Sequence, residues 1–200
     1  MRTRVSGILF FCSGVILFNC GKKAEINHPA FTKADSLTDL YLSLHDSVLQ
    51  SWNVMINDDN QKIKAMHNLL HELMITSQNE DEQLHGYEEQ LEHLVELRYD
   101  QQSMGDEDLI EEYDFASNLL VTELITQAES KTEFAYNPTL QRLVEEIRVA
   151  DQRVTLYREE YDAITVKYNT FLEKNRNYVS EITQKDSITL RPLFQMTYGD

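Results

Sequence analysis

The sequence has little that bends a chain. Glycine and proline supply only six and three of its 200 residues, where average usage gives roughly 24 together. Between Phe31 and Arg191 the sole interruptions are Gly86, Gly105 and Pro138. A β-sandwich or barrel needs a turn about every 8–12 residues, so both are excluded. Cysteine is nearly absent, with Cys12 and Cys20 alone, which leaves no disulfide framework to staple a small fold. Bases are scarce as well. Eighteen Lys and Arg face 34 Asp and Glu, for a net charge of −16, and a nucleic-acid partner would need clustered Lys and Arg to neutralise phosphates. What remains is plentiful: 42% hydrophobic and 10% aromatic residues, too many for a disordered chain. An all-α protein of long, acidic helices follows.

The first residues read as an address. Arg2 and Arg4 precede an apolar run from Val5 to Phe18, fourteen residues long and shorter than the ~20 that cross a bilayer. This is the form of a signal peptide. The run ends in Leu17-Phe18-Asn19-Cys20-Gly21, which resembles the lipobox of bacterial lipoproteins, with Asn19 larger than the usual small residue before the cysteine. The resemblance implies a leader over 1–19 and a lipidated, palmitate-bearing Cys20 that anchors the chain to a membrane. Loss of Arg2 and Arg4 with the leader makes the mature chain two charges more negative. Residues 20–34 then form a tether whose Lys22 and Lys23 sit where anionic headgroups attract them.

The body, 35–183, reads as four helices in an up-down bundle, two shorter and two long. The first spans 35–57 on Leu37, Tyr41, Leu44, Val48, Trp52 and Met55/Ile56, and Asn57-Asp58-Asp59-Asn60 is the best turn after it. The second keeps its spacing over Ile63, Met66, Leu70, Leu73, Leu84, Tyr87, Leu91 and Leu94. Ser77-Gln78-Asn79-Glu80 has the form of a capping box, but the register agrees on both sides, so a continuous helix is expected. The third covers 107–129. The fourth opens on Asn137 as N-cap with Pro138 at the first helical position. It holds a coiled-coil-like seam to residue 183 through Leu140, Leu143, Ile147, Ala150, Val154, Tyr157, Tyr161, Ile164, Tyr168, Phe171, Asn175, Tyr178 and Ile182. Residues 184–200 form an irregular tail whose Ile188, Leu190, Leu193 and Phe194 are apolar enough to fold back on the bundle.

Chemistry-bearing patterns are sparse. His67 and His71, and His85, Glu89 and His93, stand four apart as zinc-chelating pairs do. They flank the apolar positions, which places them at the rim rather than in a site. No glycine-rich phosphate loop, no G-x-S-x-G and no apolar-set carboxylate pair is present. A non-catalytic protein without a cofactor is therefore expected. The tyrosines of the last helix read as core, with Asp162, Asn169 and Asn175 as neighbours that either partner their hydroxyls or reach an adjacent helix.

The last helix also resembles the LemA family. Asn137, Leu140, Leu143, Ile147, Asp151, Arg153, Val154, Arg158, Tyr161-Asp162 and Tyr168-Asn169 fall in step with that family's C-terminal pattern, with Asp162 in place of asparagine. Trp52, Met55 and Met66-His67-Asn68-Leu69-Leu70 resemble its N-terminal motifs, although Gln61 and Lys62 stand where arginines are usual and His67 replaces a proline. Leu91 to Arg98 resembles the end of the next helix, displaced by about one heptad. The Phe-Pro that closes the family's last helix is absent. Over 44–172 the resemblance implies a LemA-like, membrane-anchored bundle of the bacterial envelope, with the outer membrane favoured by Gly21 after Cys20. The lipobox, the long last helix and the absence of catalytic groups point to a scaffold or adaptor, with Trp52, Asn68, Arg158, Tyr161, Asp162, Tyr168 and Asn169 as partner-contacting residues. The partner is an unidentified envelope protein, and self-association stays open. The alternatives are a metal-binding bundle on the histidines and a small-molecule or peptide sensor between the helices.

Overall fold

The computed structural model describes residues 32–76, 82–185 and 187–194. Residues from Lys33 onward form one compact unit. Cys20 and the leader lie outside the described residues. All regular structure among the described residues is helical. Five α-helices run in chain order: α1 Lys33–Thr76, α2 Glu82–Glu96, α3 Glu107–Ser130, α4 Pro138–Lys174 and α5 Arg176–Thr183. Short 3₁₀ turns at Ser103–Gly105 and Thr132–Tyr136 precede α3 and α4. No helix is long and apolar enough among the described residues to cross a membrane.

α1 and α4 are the long pair and make the most extensive helix contact. They are antiparallel. Thr38 near the start of α1 meets Tyr178 in α5, Asp58 meets Arg153, and Glu72 near its end meets Asn137 at the start of α4. α3 runs alongside α1 in the same direction, with Asp59 beside Tyr113 and Lys62 beside Ser117. α2 packs on both α1 and α3. At ~1.5 Å per residue α1 is about 66 Å long and α4 about 55 Å. α2 and α3 flank only the half of this pair near Thr76 and Pro138.

Local signals explain most helix ends. Asp106 caps α3, accepting from Leu109 N at 3.4 Å. Asn137 caps α4, accepting from Thr139 N at 2.9 Å and Leu140 N at 3.2 Å, with Pro138 following as the sequence predicts. Asp100 Oδ1 accepts from Gln102 N and Ser103 N and turns the chain between α2 and α3.

Three boundaries differ from the sequence reading. The expected turn at Asn57–Asn60 does not form, and α1 passes straight through it. The expected single helix across 77–80 is instead two packed helices, α1 ending at Thr76 and α2 starting at Glu82; residues 77–81 themselves lie outside the described residues. The last helix does not reach 183 unbroken. Asn175 leaves helical geometry (φ −123°, ψ 25°), and its side chain donates to Phe171 O, the carbonyl its own backbone N–H also uses. A short amide that competes for a helix carbonyl is a known source of a break. α5 resumes one residue later.

The core is divided in two. One apolar cluster joins Leu69, Leu73, Leu84, Leu91, Leu94, Leu120, Leu124, Leu140 and Ile147 from α1 to α4. The other holds Val48, Met104, Tyr161, Tyr168, Phe171, Leu172 and Val179. In the second cluster the chain between α2 and α3 and the C-terminal segment take the places that α2 and α3 fill in the first. Residues 187–194 have no helix or strand, as expected, yet they pack: Ile188 and Phe194 both lie against this core.

Gly86 sits inside α2, and a Cβ added there meets nothing within 4 Å. Gly86→Ala therefore stabilises the fold by about 1 kcal/mol through helix propensity alone. Thermal unfolding should show Tm raised by about 2–4 °C.

Candidate functional site

Between the two apolar clusters lies a layer of charge. Lys62 is 2% exposed, and its ammonium donates to Ser117 Oγ at 2.9 Å while lying 3.7 Å from Asp59 and 3.8 Å from Asp151. Asp59 is shared: Tyr113 OH donates to both its oxygens, at 2.7 and 2.8 Å, and Arg98 Nη2 lies 3.1 Å away. Arg153 pairs with Asp58. Arg158, 6% exposed, makes a two-pronged pair with Asp114, both bonds 2.6 Å, and donates to Tyr99 OH at 3.0 Å. Thus Lys62, Arg98, Arg153 and Arg158 meet Asp58, Asp59, Asp114 and Asp151, base for acid. A cavity of ≈270 Å³ opens beside them, lined by Met55, Lys62, Tyr113, Asp151, Thr155 and Arg158 among others.

The environment tunes these groups. Burial lifts the Asp58 carboxyl above its usual range against the pull of Arg153. Burial lifts the Tyr99 hydroxyl as well, with Arg158 opposing. Tyr113 is pushed up first by burial and then by the Asp59 charge it faces. Burial works against the Arg158 charge, but the Asp114 bonds outweigh it and bind the proton more firmly. Burial is the main cause for Asp58, Tyr99 and Tyr113, and the Asp114 bonds decide the direction for Arg158, while the four bases and four acids of the layer pair with one another.

The family-derived residues gather at the other end of α4, around the chain's own C-terminal segment. Asn169 accepts from Arg191 N at 2.9 Å and donates to Arg191 O at 2.8 Å. Asp162 accepts from Phe194 N at 2.9 Å. The Phe194 ring stacks on Trp52, meets Tyr161 edge-on and lies under the Arg158 guanidinium at 4.8 Å, contacts that favour offset and cation–π geometry. Asp162 and Asn169 thus hold this segment by its backbone. Tyr161 is fully buried, and its hydroxyl and that of Thr165 have no hydrogen-bond partner among the described residues. Tyr168 packs on Tyr41 and His45. Burial, then Tyr41, pushes its hydroxyl up to about 12. Asn68 stays apart, exposed beside a cleft between α1 and α4 with Gln61, Lys64 and Arg142.

The histidines are not drawn together. His67, His71, His85 and His93 are all exposed, His85 lies 3.6 Å from Glu88, and Glu89 borders a groove instead. No group of three or more His, Cys, Asp or Glu able to hold a metal occurs among the described residues.

The groove lies between α2 and α3. It has a volume of about 580 Å³ and is lined by Gly86, Leu97, Phe115, Ala116 and Leu119, with Glu89, His93 and Glu112 at its edges. Phe115 is 73% exposed and Leu119 44%. Sequence reasoning passed over it. Phe115 falls midway between Tyr113 and Ser117, off the buried stripe of Tyr113, Ser117, Leu120, Val121 and Leu124, and that offset was the available signal. Comparison with known protein families, with curated proteins and with solved structures gives no match.

Asp114→Ala leaves Arg158 buried without its counter-ion and lowers urea-unfolding stability by about 3 kcal/mol. Arg148→Ala, which removes a half-exposed surface pair with Glu129, costs less than about 1 kcal/mol. Because Tyr168 in the fold is raised above the tyrosine value of 10.0, the stabilisation is complete below that value and is lost as pH climbs through about 12. Near-ultraviolet titration should show Tyr99, Tyr113, Tyr161 and Tyr168 still un-ionised where exposed tyrosines have titrated, then ionising as the fold is lost.

Proposed function

We propose that this protein is an envelope lipoprotein of the LemA-like type, anchored through a lipid on Cys20, whose up-down helical bundle acts as a non-catalytic adaptor for a protein partner. The observation that carries the reading is the open apolar groove between α2 and α3. Phe115 and Leu119 stand exposed one turn apart on α3 and line it together with Gly86, Leu97 and Ala116, an apolar lining that a partner's side chains can cover. The charged groups of the interior support it in another way. They are spent on one another, so the chemistry of the layer is structural. The chain offers its surroundings a shape rather than a reacting group.

The test has two arms. A photo-crosslinking residue at position 115 in living cells should trap one discrete protein, and the same residue at the exposed Leu156 on α4 should not. Cys20→Ala should move the protein out of the membrane fraction. Identical crosslinks from both positions would sink the adaptor reading, and unchanged membrane retention would sink the anchor.

A further inference from the structure

The groove carries a charge signature that limits what can fill it. α2 has five carboxylates and α3 has seven, and neither helix contains a single Lys or Arg. The bases of the fold lie elsewhere. Lys62, Arg98, Arg153 and Arg158 are committed to the charged layer, and Arg142 and Arg148 pair with Glu146 and Glu129. The apolar floor of the groove is thus bordered by Glu89 and Glu112, with Glu82, Glu88, Glu92, Glu96, Glu107, Asp108 and Glu111 exposed on the same two helices. A second copy approaching through this face would bring carboxylates against carboxylates, and an anionic lipid surface would be repelled likewise.

Shape adds to charge. Gly86 offers no side chain, and nothing lies within 4 Å of where one would stand. Ala116, also small, shares the lining with Leu97, Phe115 and Leu119, and Gln90 and His93 complete it beside the two glutamates. From Gly86 to Leu97 the groove follows α2 for roughly 16 Å, about three turns of a helix laid along it. Small residues at the floor let a second backbone approach closely, and apolar anchors three and four residues apart fit such a groove.

We infer that the α2–α3 groove binds a cationic amphipathic helix of the partner protein: an apolar ridge of about three turns flanked by Lys or Arg. The inference rests on the adaptor reading and gives that partner its chemistry. Leucine-type anchors enter between Phe115 and Gly86, and the flanking bases reach Glu89 and Glu112. Charge supplies partner choice and the encounter rate, and the apolar anchors supply the hold.

The experiment uses the full-length protein in zwitterionic-lipid nanodiscs and two labelled peptides of about three to four turns. Both carry leucine at the same helical positions, one with lysine and one with glutamate elsewhere, and binding to empty nanodiscs is subtracted. Fluorescence anisotropy should show the lysine peptide binding at least about tenfold tighter, with the preference shrinking as salt is raised. Phe115→Asp and Gly86→Leu, both at open positions, should each weaken it by about tenfold or more. Glu89→Lys with Glu112→Lys should reverse the preference between the peptides. Equal binding of the two peptides, or unchanged binding by both groove variants, overturns the inference. So does a dimer in sedimentation that Phe115→Asp dissolves, because a second copy would then be the occupant. A discrete crosslink at position 115 without charge preference defeats the cationic partner and leaves the adaptor standing. Charge-selective binding without any crosslink in cells keeps the groove's chemistry and defeats the adaptor.

Discussion

An ammonium group at the centre of a helical protein has to be paid for, and Lys62 is paired on three sides. Moving a charge of that size from water into an apolar interior costs several kcal/mol even after relaxation. Asp59 from its own helix, Asp151 from α4 and the Ser117 hydroxyl from α3 offset that cost. Their positions are not independent. Asp59 also serves Tyr113 and Arg98, and about two turns beyond Asp151 on α4 Arg158 clasps Asp114. The pairs therefore tie α1 to α3, α1 to α4, and α3 to α4 at one height. Long apolar seams are tolerant of sliding, since a shift of one turn brings leucine against leucine again. A shift of one turn, about 5.4 Å, would part every one of these pairs and leave charges buried alone. The layer sets the register that the seams leave open.

The same layer explains what was legible in the sequence and what was not. The all-helical class was plain from the shortage of Gly and Pro, and the start of α4 was plain from Asn137-Pro138. Asn57–Asn60 misled because Asp and Asn are turn formers in water. Here Asp58 is paired with Arg153 and Asp59 with Lys62, so the helix keeps its backbone bonds and buries its carboxylates too. The three-four spacing from Met55 through Asp58 and Lys62 to Met66 is unbroken; it is visible only when charged residues are admitted to the inner face. α4 repeats the lesson. A seam read on apolar residues selects Tyr157 and Ile164, whereas the inner face beyond Val154 is held by Arg158, Tyr161, Thr165, Tyr168 and Leu172. Partner-dependent burial cannot be seen from one strand of sequence, because the compensating charge lies 44 residues away for Arg158 and 95 for Arg153.

Above the layer the fold is built with fewer helices. α1 and the far half of α4 form a two-helix arm that would leave one face of Trp52, Tyr161 and Phe171 open. The turn carrying Tyr99 and Met104 covers part of it, and Phe194 covers more. Asn169 and Asp162 fasten this segment by its backbone, at Arg191 and Phe194, so the grip depends little on the side chains between. A sequence pattern can mark Asp162 and Asn169 as unusual polar residues on a buried helix, but it cannot say that the chain itself will return to occupy them. Arg158 joins the two regions, one face against Phe194 and its edge against Asp114.

Partition of charge is the last consequence. A chain this poor in bases places most of those of α4 and of the inner face of α1 against its own acids. α2 and α3, which carry no Lys or Arg, present mostly carboxylates outside and leucines inside. Had bases been scattered evenly, the layer would lack cations and the outer faces would be mixed and unselective. Concentrating them inward makes the interior neutral and the α2–α3 face uniformly acidic at once. An apolar groove on a neutral surface would take any greasy helix and invite self-association. Bordered by carboxylates, the same groove rejects copies of its own face and favours a helix that brings the bases this chain lacks there.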